Sequence, residues 1–300
     1  MFRHLLVPLD GSLLAEAALP YATALAALFN AEITLVHIVE RNAPSAVHGQ
    51  RHLTSADEAS DYLDKISSDA IPAGIRFACH VHRLEVSDVA GSIAEHAGEL
   101  SPDLVVMCAH GNDVLRNWLS GSLAQHVIAR GTVPVLCIRS RPAIPPISAF
   151  TCGVVLVPLD GTPDHEHGIP AAAELATACG SRLHLVSVIP TTDALRDERR
   201  HSARMMPGTA ASILNLAVEQ TEVYLQRMAR GLEGRGIGVT TEVRRGNPAR
   251  EIDLAARHIG ASCITLATHG KTGLDAFWSG SVTPRLAQQS DTPILLVPVP

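Results

Sequence analysis

Residues 4–12 read His-Leu-Leu-Val-Pro-Leu-Asp-Gly-Ser, and residues 154–162 read Val-Val-Leu-Val-Pro-Leu-Asp-Gly-Thr. Each stretch is a short apolar run that ends in Leu-Asp-Gly and a hydroxyl side chain. This pattern is typical of a buried parallel strand that turns into a helix. The two stretches begin a repeat that can be aligned along the chain, with length changes confined to segments that have the composition of loops. The chain is therefore a tandem duplication.

Length and composition support two domains of the same class. The chain has 300 residues, and single domains commonly have about 100–200. Hydrophobic residues make up 46% of the chain but aromatic residues only 3%, so Ala, Val, Leu and Ile must build the core. That core suits a parallel sheet packed by Ala-rich helices. We predict domains at 1–140 and 152–300, joined by a Pro-rich linker at 141–151.

Short β-branched runs alternate with helical periodicity in both copies, an order that builds open parallel sheets through right-handed crossovers. The first copy predicts strands at 4–9, 32–39, 75–83, 103–109 and 134–139 and helices at 13–29, 55–70, 87–99 and 118–130. The second predicts strands at 153–159, 182–189, 237–244, 262–267 and 293–298 and helices at 164–179, 209–233, 248–259 and 276–290. The predicted fold class is α/β, with two repeated, Rossmann-like, five-stranded parallel sheets.

The last strand of each copy is apolar nearly throughout and would lie at the edge of its sheet. Since an uncovered apolar edge favours pairing, we predict that the copies dock through these strands as an intramolecular pseudo-dimer.

Charge and cysteine usage exclude several classes of protein. The net charge is −6 with no dense Lys/Arg tract, which argues against a nucleic-acid partner. No apolar stretch reaches the ~20 residues of a membrane span, and we expect no secretion signal. The six cysteines lack the spacing of a metal site, which suggests free thiols in a reducing compartment. Two histidine pairs, His80 with His82 and His165 with His167, could each offer two metal ligands, but neither has a third ligand at a recognisable spacing. We therefore expect a cytoplasmic protein without a metal site.

Ligands of open α/β sheets bind beyond the carboxyl ends of the strands. Asp10 and Asp160 follow the first strand of each copy and would lie at the mouth of such a crevice. An alternative is that each aspartate only supports the start of the next helix. The fourth strands run into Cys108-Ala109-His110-Gly111 and Ala267-Thr268-His269-Gly270. The two histidines either donate to a phosphate or cap the strand ends.

A second glycine follows after nine residues, in Gly121-Ser122-Leu123 and in Gly280-Ser281-Val282, near the predicted start of a helix. Glycines let the backbone approach a ligand, and amides at a helix N-terminus can hold an anion. Together with the Ser hydroxyl, this arrangement predicts a phosphate-binding cradle in each copy.

These motifs resemble those of the universal stress protein family, and the resemblance covers essentially the whole chain. Nucleotide-binding members carry GxxG, nine residues and then Gly-Ser or Gly-Thr, with an Asp after the first strand. The resemblance implies that Asp10 and Asp160 contact a ribose and that the backbones of Ile38 and Val188 contact adenine. It also implies that the cradles hold the phosphates of ATP or another adenine nucleotide, with or without magnesium. The cradle residues are Cys108, Gly111, Gly121, Ser122, Leu123, Ala267, Gly270, Gly280, Ser281 and Val282.

Both copies depart from the family pattern at the first glycine of GxxG, which is Cys108 in one and Ala267 in the other. The Cys108 thiol is bulkier than the Ala267 methyl group and would crowd the sugar. Asp113 would also repel a phosphate where Lys271 would attract one. We therefore expect the second copy to bind a nucleotide more readily than the first.

Beside the cradles the sequence shows no convincing general base, nucleophile or metal set, which predicts a nucleotide-binding stress or regulatory protein without efficient catalysis. Two alternatives stay open. One is a slow ATP hydrolase in which Asp10 or Asp160 holds magnesium, and the other is a protein that has lost nucleotide binding and acts through protein partners. We expect a homodimer of two-domain chains. Segment 190–209 is either a lid or a tolerated insertion.

Overall fold

A computed structural model describes residues 1–42, 46–47, 50–110, 127–128, 132–140, 150, 152–191, 207–269 and 282–299. The strands are β1 (His4–Pro8), β2 (Glu32–Glu40), β3 (Ala46–Val47), β4 (Gln50–Arg51), β5 (Arg76–Val86), β6 (Leu104–His110), β7 (Val135–Ser140), β8 (Val154–Pro158), β9 (Leu183–Ile189), β10 (Val239–Arg245), β11 (Ala261–His269) and β12 (Ile294–Val299). The helices are α1 (Leu13–Glu16), α2 (Leu19–Phe29), α3 (Ala56–Ala70), α4 (Val89–Glu99), α5 (Pro163–Glu166), α6 (Ile169–Ala178), α7 (Pro207–Glu233), α8 (Pro248–Ile259) and α9 (Val282–Gln289). The predicted α/β class is confirmed.

Ten of these strands form one sheet in the order β10-β9-β8-β11-β12-β7-β6-β1-β2-β5. Both halves follow the same path, with the first strand of the copy between its second and fourth strands. The pairings within each half are parallel. At the centre β7 and β12 pair antiparallel, with Leu136 opposite Leu295. The prediction that the copies dock through their last strands is confirmed.

One buried core runs across this join. Leu136 and Ile138 of the first copy pack in the same cluster as Leu295 and Val297 of the second. Burial of apolar area stabilises by roughly 25 cal/mol per Å², so the two halves stabilise one another through this continuous core.

The single helix predicted at 13–29 is two helices, α1 and α2, and the helix predicted at 164–179 is likewise α5 and α6. Pro20 lies in the first turn of α2, and Pro170 lies in the first turn of α6. Proline has no N–H to donate, and its ring clashes with the carbonyl group four residues earlier. That carbonyl belongs to Glu16 or Glu166, the last residue of α1 or α5. The same proline therefore breaks the helix in both copies.

The expectation that all six cysteines are free is wrong for two of them. Cys152, just before β8, forms a disulfide with Cys179, the C-cap residue of α6, with their Cα atoms 5.1 Å apart. The free cysteines are Cys79, which is exposed, and the buried Cys108, Cys137 and Cys263.

Several predicted segments lie outside the described residues. They are residues 141–149 and 151 of the linker, most of the helix predicted at 118–130, residues 276–281 and most of segment 190–209. Of that last segment, Pro207–Thr209 begin helix α7. None of the described helices combines the length and the apolar character needed to cross a membrane.

Candidate functional site

A cavity lies at the carboxyl ends of the strands in each copy, and the two cavities differ in size. The one beside β1, β2 and β6 has a volume of about 60 Å³, and the one beside β8, β9 and β11 has a volume of about 580 Å³. One backbone hydrogen bond beside the first strand recurs in both copies, since Leu9 N–H donates to the Val36 carbonyl at 2.9 Å and Leu159 N–H to that of Val186 at 2.8 Å. The difference therefore comes from the side chains and segments that border the crevices.

Half of the predicted site residues are described, and each of these lines one of the two cavities. Asp10, Ile38 and Cys108 line the first, and Asp160, Val188, Ala267 and Val282 line the second. The other predicted residues lie outside the described part of the chain: Gly111, Gly121, Ser122, Leu123, Gly270, Gly280 and Ser281. The sequence thus located both crevices, while contact with a nucleotide stays a prediction.

Each aspartate holds the turn that follows its strand. Oδ1 of Asp10 accepts a hydrogen bond from Ser12 N–H at 2.9 Å, and Oδ1 of Asp160 accepts one from Thr162 N–H at 3.0 Å. Ser12 also caps α1, because its hydroxyl accepts from Ala15 N–H at 3.1 Å. Thr162 does not cap α5 but donates its hydroxyl to Asp160 Oδ1 at 2.7 Å. Each aspartate therefore supports the start of the helix after its strand through Oδ1.

A buried imidazole lines the first crevice. His37 on β2 is only 1% exposed, and its Nδ1–H donates to the carbonyl oxygen of Leu9 at 2.8 Å. The residue at the same place on β9 is Ser187, whose side chain is much shorter. Burial lowers the pKa of His37, although its bond to Leu9 and the nearby Asp10 and Glu58 act in the opposite direction. The ring is therefore predominantly neutral near pH 7.

The segment before α3 covers the same crevice. His52 lines the cavity and is 9% exposed, and Leu53 packs on the turn at Gly11. A Cβ atom at Gly11 would lie 2.7 Å from the Leu53 Cγ, whereas among the described residues nothing lies within 4 Å of a Cβ at Gly161. Both glycines have a positive φ, +89° and +85°, so the two turns agree.

The second crevice has an acid–base pair formed by Asp160 and His165. Nδ1 of His165 lies 2.7 Å from Asp160 Oδ1 and 3.1 Å from the Thr162 hydroxyl. Burial alone would raise the pKa of Asp160, but hydrogen bonds from His165 and Thr162 lower it to about 2. The same bond to Asp160 raises the pKa of His165. The corresponding residue in the first copy is Ala15.

One hydrogen bond beside the crevice recurs in both copies. Tyr62 donates its hydroxyl to Glu16 at 3.0 Å, and Tyr224 donates to Glu166 at 2.9 Å. Each bond ties the short helix after the first strand to the helix that precedes the third long strand of its half. This pair of contacts holds the same wall of both crevices.

The histidine pairs of the sequence do not form a metal centre in the described part of the chain. His80 and His82 each lie against His96, with ring centroids 4.9 Å apart. Nowhere among the described residues do three His, Cys, Asp or Glu side chains have the placement that a metal ion needs.

The sequence model of the universal stress protein family matches residues 1–139 and again residues 153–298. The chain belongs to the universal stress protein family. Universal stress protein Rv2005c of Mycobacterium tuberculosis is 25% identical over 299 residues, which cover 97% of this chain and 95% of that protein. A universal stress protein of Archaeoglobus fulgidus has the same fold, with a TM-score of 0.71 at 16% identity over 99% of both chains. One from Pseudomonas aeruginosa has a TM-score of 0.62 at 17% identity over 99% of this chain and 94% of that one.

Three residues of this universal stress protein's crevices were missed by sequence reasoning. His37 and His52 come from separate segments, and no motif links them. From the sequence, His165 is interpreted only as a candidate metal ligand. Its position at the start of a predicted helix, five residues after Asp160, also allows it to contact that aspartate. The available signal was the comparison of the copies, because His37 aligns with Ser187 and His165 aligns with Ala15.

Proposed function

We propose that this universal stress protein binds ATP or another adenine nucleotide in the crevice of its second copy. The observation that carries this proposal is the difference between two cavities on the same backbone frame. About 580 Å³ lies within the roughly 300–1,000 Å³ of small-molecule sites. About 60 Å³ has room for only a few water molecules. We infer that the first crevice is closed to nucleotides in this state.

The lining of the second cavity suits the parts of a nucleotide. Val188, Ile252 and Leu266 offer apolar surface to a purine base, and Asp160 offers a carboxylate to ribose hydroxyl groups. Val282, the first described residue of helix α9, lines the cavity, so a phosphate there would lie beside that helix.

We further propose that binding occurs without efficient catalysis. Magnesium would enter with the phosphates, but among the described lining residues Asp160 is the carboxylate that could contact it. Its Oδ1 already faces Thr162 N–H, the Thr162 hydroxyl and His165 Nδ1, which leaves Oδ2. A magnesium ion that contacts one carboxylate oxygen takes most of its other ligands from water and phosphate.

The deciding experiment replaces Ser187 of the second crevice with histidine, the residue that the first crevice has at the same place. Wild-type protein is denatured, its supernatant is analysed by mass spectrometry, and its unfolding is followed with added ATP. A ligand at 100 times its Kd stabilises by about 2.7 kcal/mol. We expect this gain in the wild type and in the control Ser68→His, which changes an exposed residue of α3, and its loss in Ser187→His. An empty wild type that ATP does not stabilise would instead favour action through protein partners.

A second candidate, slow ATP hydrolysis, is favoured by the Asp160–His165 contact. A carboxylate that orients an imidazole is an arrangement found in general bases. Phosphate release would then fall in both Asp160→Asn and His165→Ala. Release that is absent, or equal in wild type and variants, would reject this candidate.

Assembly and location are further proposals. A homodimer of two-domain chains would have twice the 31.8 kDa mass of the chain, which light scattering measures. A single-chain mass would reject the homodimer.

The proposed location is the cytoplasm. In that compartment Cys152 and Cys179 should be present as free thiols when the protein is treated with a thiol-blocking reagent during cell lysis.

A further inference from the structure

Resting on the proposed nucleotide site, we propose that His165 recognises phosphate in the second crevice and makes it select phosphorylated adenosines over adenosine itself. The residue lines the cavity together with Asp160, Ala267 and Val282. The proposal adds a determinant of ligand choice that the first copy lacks.

The place of His165 in the fold puts it on the phosphate side of Asp160. The turn after His165 lies against β11, since a Cβ at Gly168 would lie 3.3 Å from Ala267 N. Strand β11 leads along the chain toward α9, whereas β9, which carries Val188, pairs on the other side of β8. A base beside Val188 would therefore direct its phosphates toward β11 and His165.

The charge of His165 follows from its surroundings. Asp160 approaches it from the loop after β8, and Asp164, Glu166 and His167 share its segment. From α7, Tyr224 donates to Glu166, and β11 lines the cavity with the uncharged Leu266 and Ala267. The carboxylate 2.7 Å away stabilises the imidazolium form and holds its ring by Nδ1. An imidazolium that borders the cavity favours an anionic ligand over a neutral one.

The test compares ligands that differ only in phosphate. Calorimetry on the full chain gives the Kd of adenosine, AMP and ATP for the wild type, His165→Ala and His165→Gln. Glutamine can still bond to Asp160 but carries no charge, so it separates charge from position. The matched control is His167→Ala, an exposed histidine two residues away. Loss of one charge-assisted hydrogen bond predicts that both His165 variants bind ATP about tenfold more weakly. Adenosine binding should stay unchanged.

The pH dependence gives a second readout. Between about pH 6 and about pH 8.5, the wild type should lose part of its preference for ATP as His165 loses its proton. His165→Gln is measured at the same pH values to account for the ionisation of ATP itself. Its preference for ATP over adenosine should change less with pH than that of the wild type. An unchanged ATP-to-adenosine ratio in both variants would overturn the role of His165 while leaving the nucleotide site intact. Failure of the wild type to bind any of the three ligands would overturn both proposals.

Discussion

The two halves of the sheet have the same backbone and differ in what occupies the crevice beyond it. In the first copy, His37 and His52 line a cavity of about 60 Å³ and Leu53 packs on the turn at Gly11, whereas the cavity of the second copy has a volume of about 580 Å³. In the second copy, Asp160 carries a histidine partner that the first replaces with Ala15. The comparison teaches that two halves with the same strand order can carry crevices of very different volume.

A second contrast lies at the opposite end of the strands. Phe2 packs on Phe29 in a T-shaped contact with ring centroids 5.3 Å apart. The corresponding positions of the second copy hold Cys152 and Cys179, which form the disulfide. Both pairs tie the chain before the first strand to the end of the second helix, one by apolar contact and the other by a covalent bond.

The largest expected effect comes from breaking these two ties. The disulfide spans a sequence separation of 27, so Cys152→Ala/Cys179→Ala should lower the free energy of unfolding by about 3 kcal/mol. Phe2→Ala should cost about as much through the cavity it leaves. Urea unfolding with and without a dithiol reductant distinguishes the ties, because the reductant should destabilise Phe2→Ala and the wild type but not the double variant. Equal sensitivity of all three proteins would contradict the disulfide.

Opening the first crevice should have the next largest effect. His37→Ser removes the buried bond to Leu9 and leaves a cavity, which should cost about 2 kcal/mol of unfolding free energy. It also gives the first copy the residue found at Ser187, so calorimetry should detect a second nucleotide-binding event. The control His258→Ser changes an exposed residue of α8. A stable variant with unchanged stoichiometry would show that the segment over Gly11 closes the crevice unaided.

The tyrosine–glutamate hydrogen bond that occurs in both copies should contribute about equally to the stability of each. Tyr62→Phe and Tyr224→Phe each remove one hydrogen bond to a glutamate, at about 1 kcal/mol of unfolding free energy. Chemical denaturation of both variants measures the two costs. A markedly larger cost in one copy would show that the surroundings of this bond have diverged as well.

The smallest expected effect is a loss of stability in acid that arises in the first copy. His37 has a lowered pKa in the folded protein, so between that pKa and about 6.5 the unfolded chain binds more protons. Stability is thus full above about pH 6.5 and falls as the pH decreases below it. His37→Ser should make the decline of Tm shallower, while Asp160, with a pKa of about 2, contributes no loss in this range. An unchanged slope would show that His37 does not contribute.

The duplication made most of the fold predictable. The ten long strands follow from apolar runs that occur twice, and the pairing of β7 with β12 follows from their apolar edge character. Helix breaks at Pro20 and Pro170 were missed because helical periodicity continues across them. The Cys152–Cys179 pair was missed because a sequence separation carries no information on whether two Cα atoms come within 5.1 Å.

The candidate site was predictable where a single segment defines it. Asp10 and Asp160 follow directly from the strand–turn pattern, and both line the crevices. Closure of the first crevice needs His37 from β2 and Leu53 from the segment before α3, which meet only in three dimensions. That the second copy binds a nucleotide more readily than the first stays a prediction, and its larger cavity agrees with it.

The antiparallel contact of β7 with β12 places both members of a pair in one polypeptide. An assembly of two identical chains must present every substitution twice, so a change that closes one crevice closes its mate as well. A chain that pairs with itself is free of that constraint. Each crevice can then vary independently while the other keeps its original use, and the ratio of the two kinds of site is fixed at one to one in every molecule.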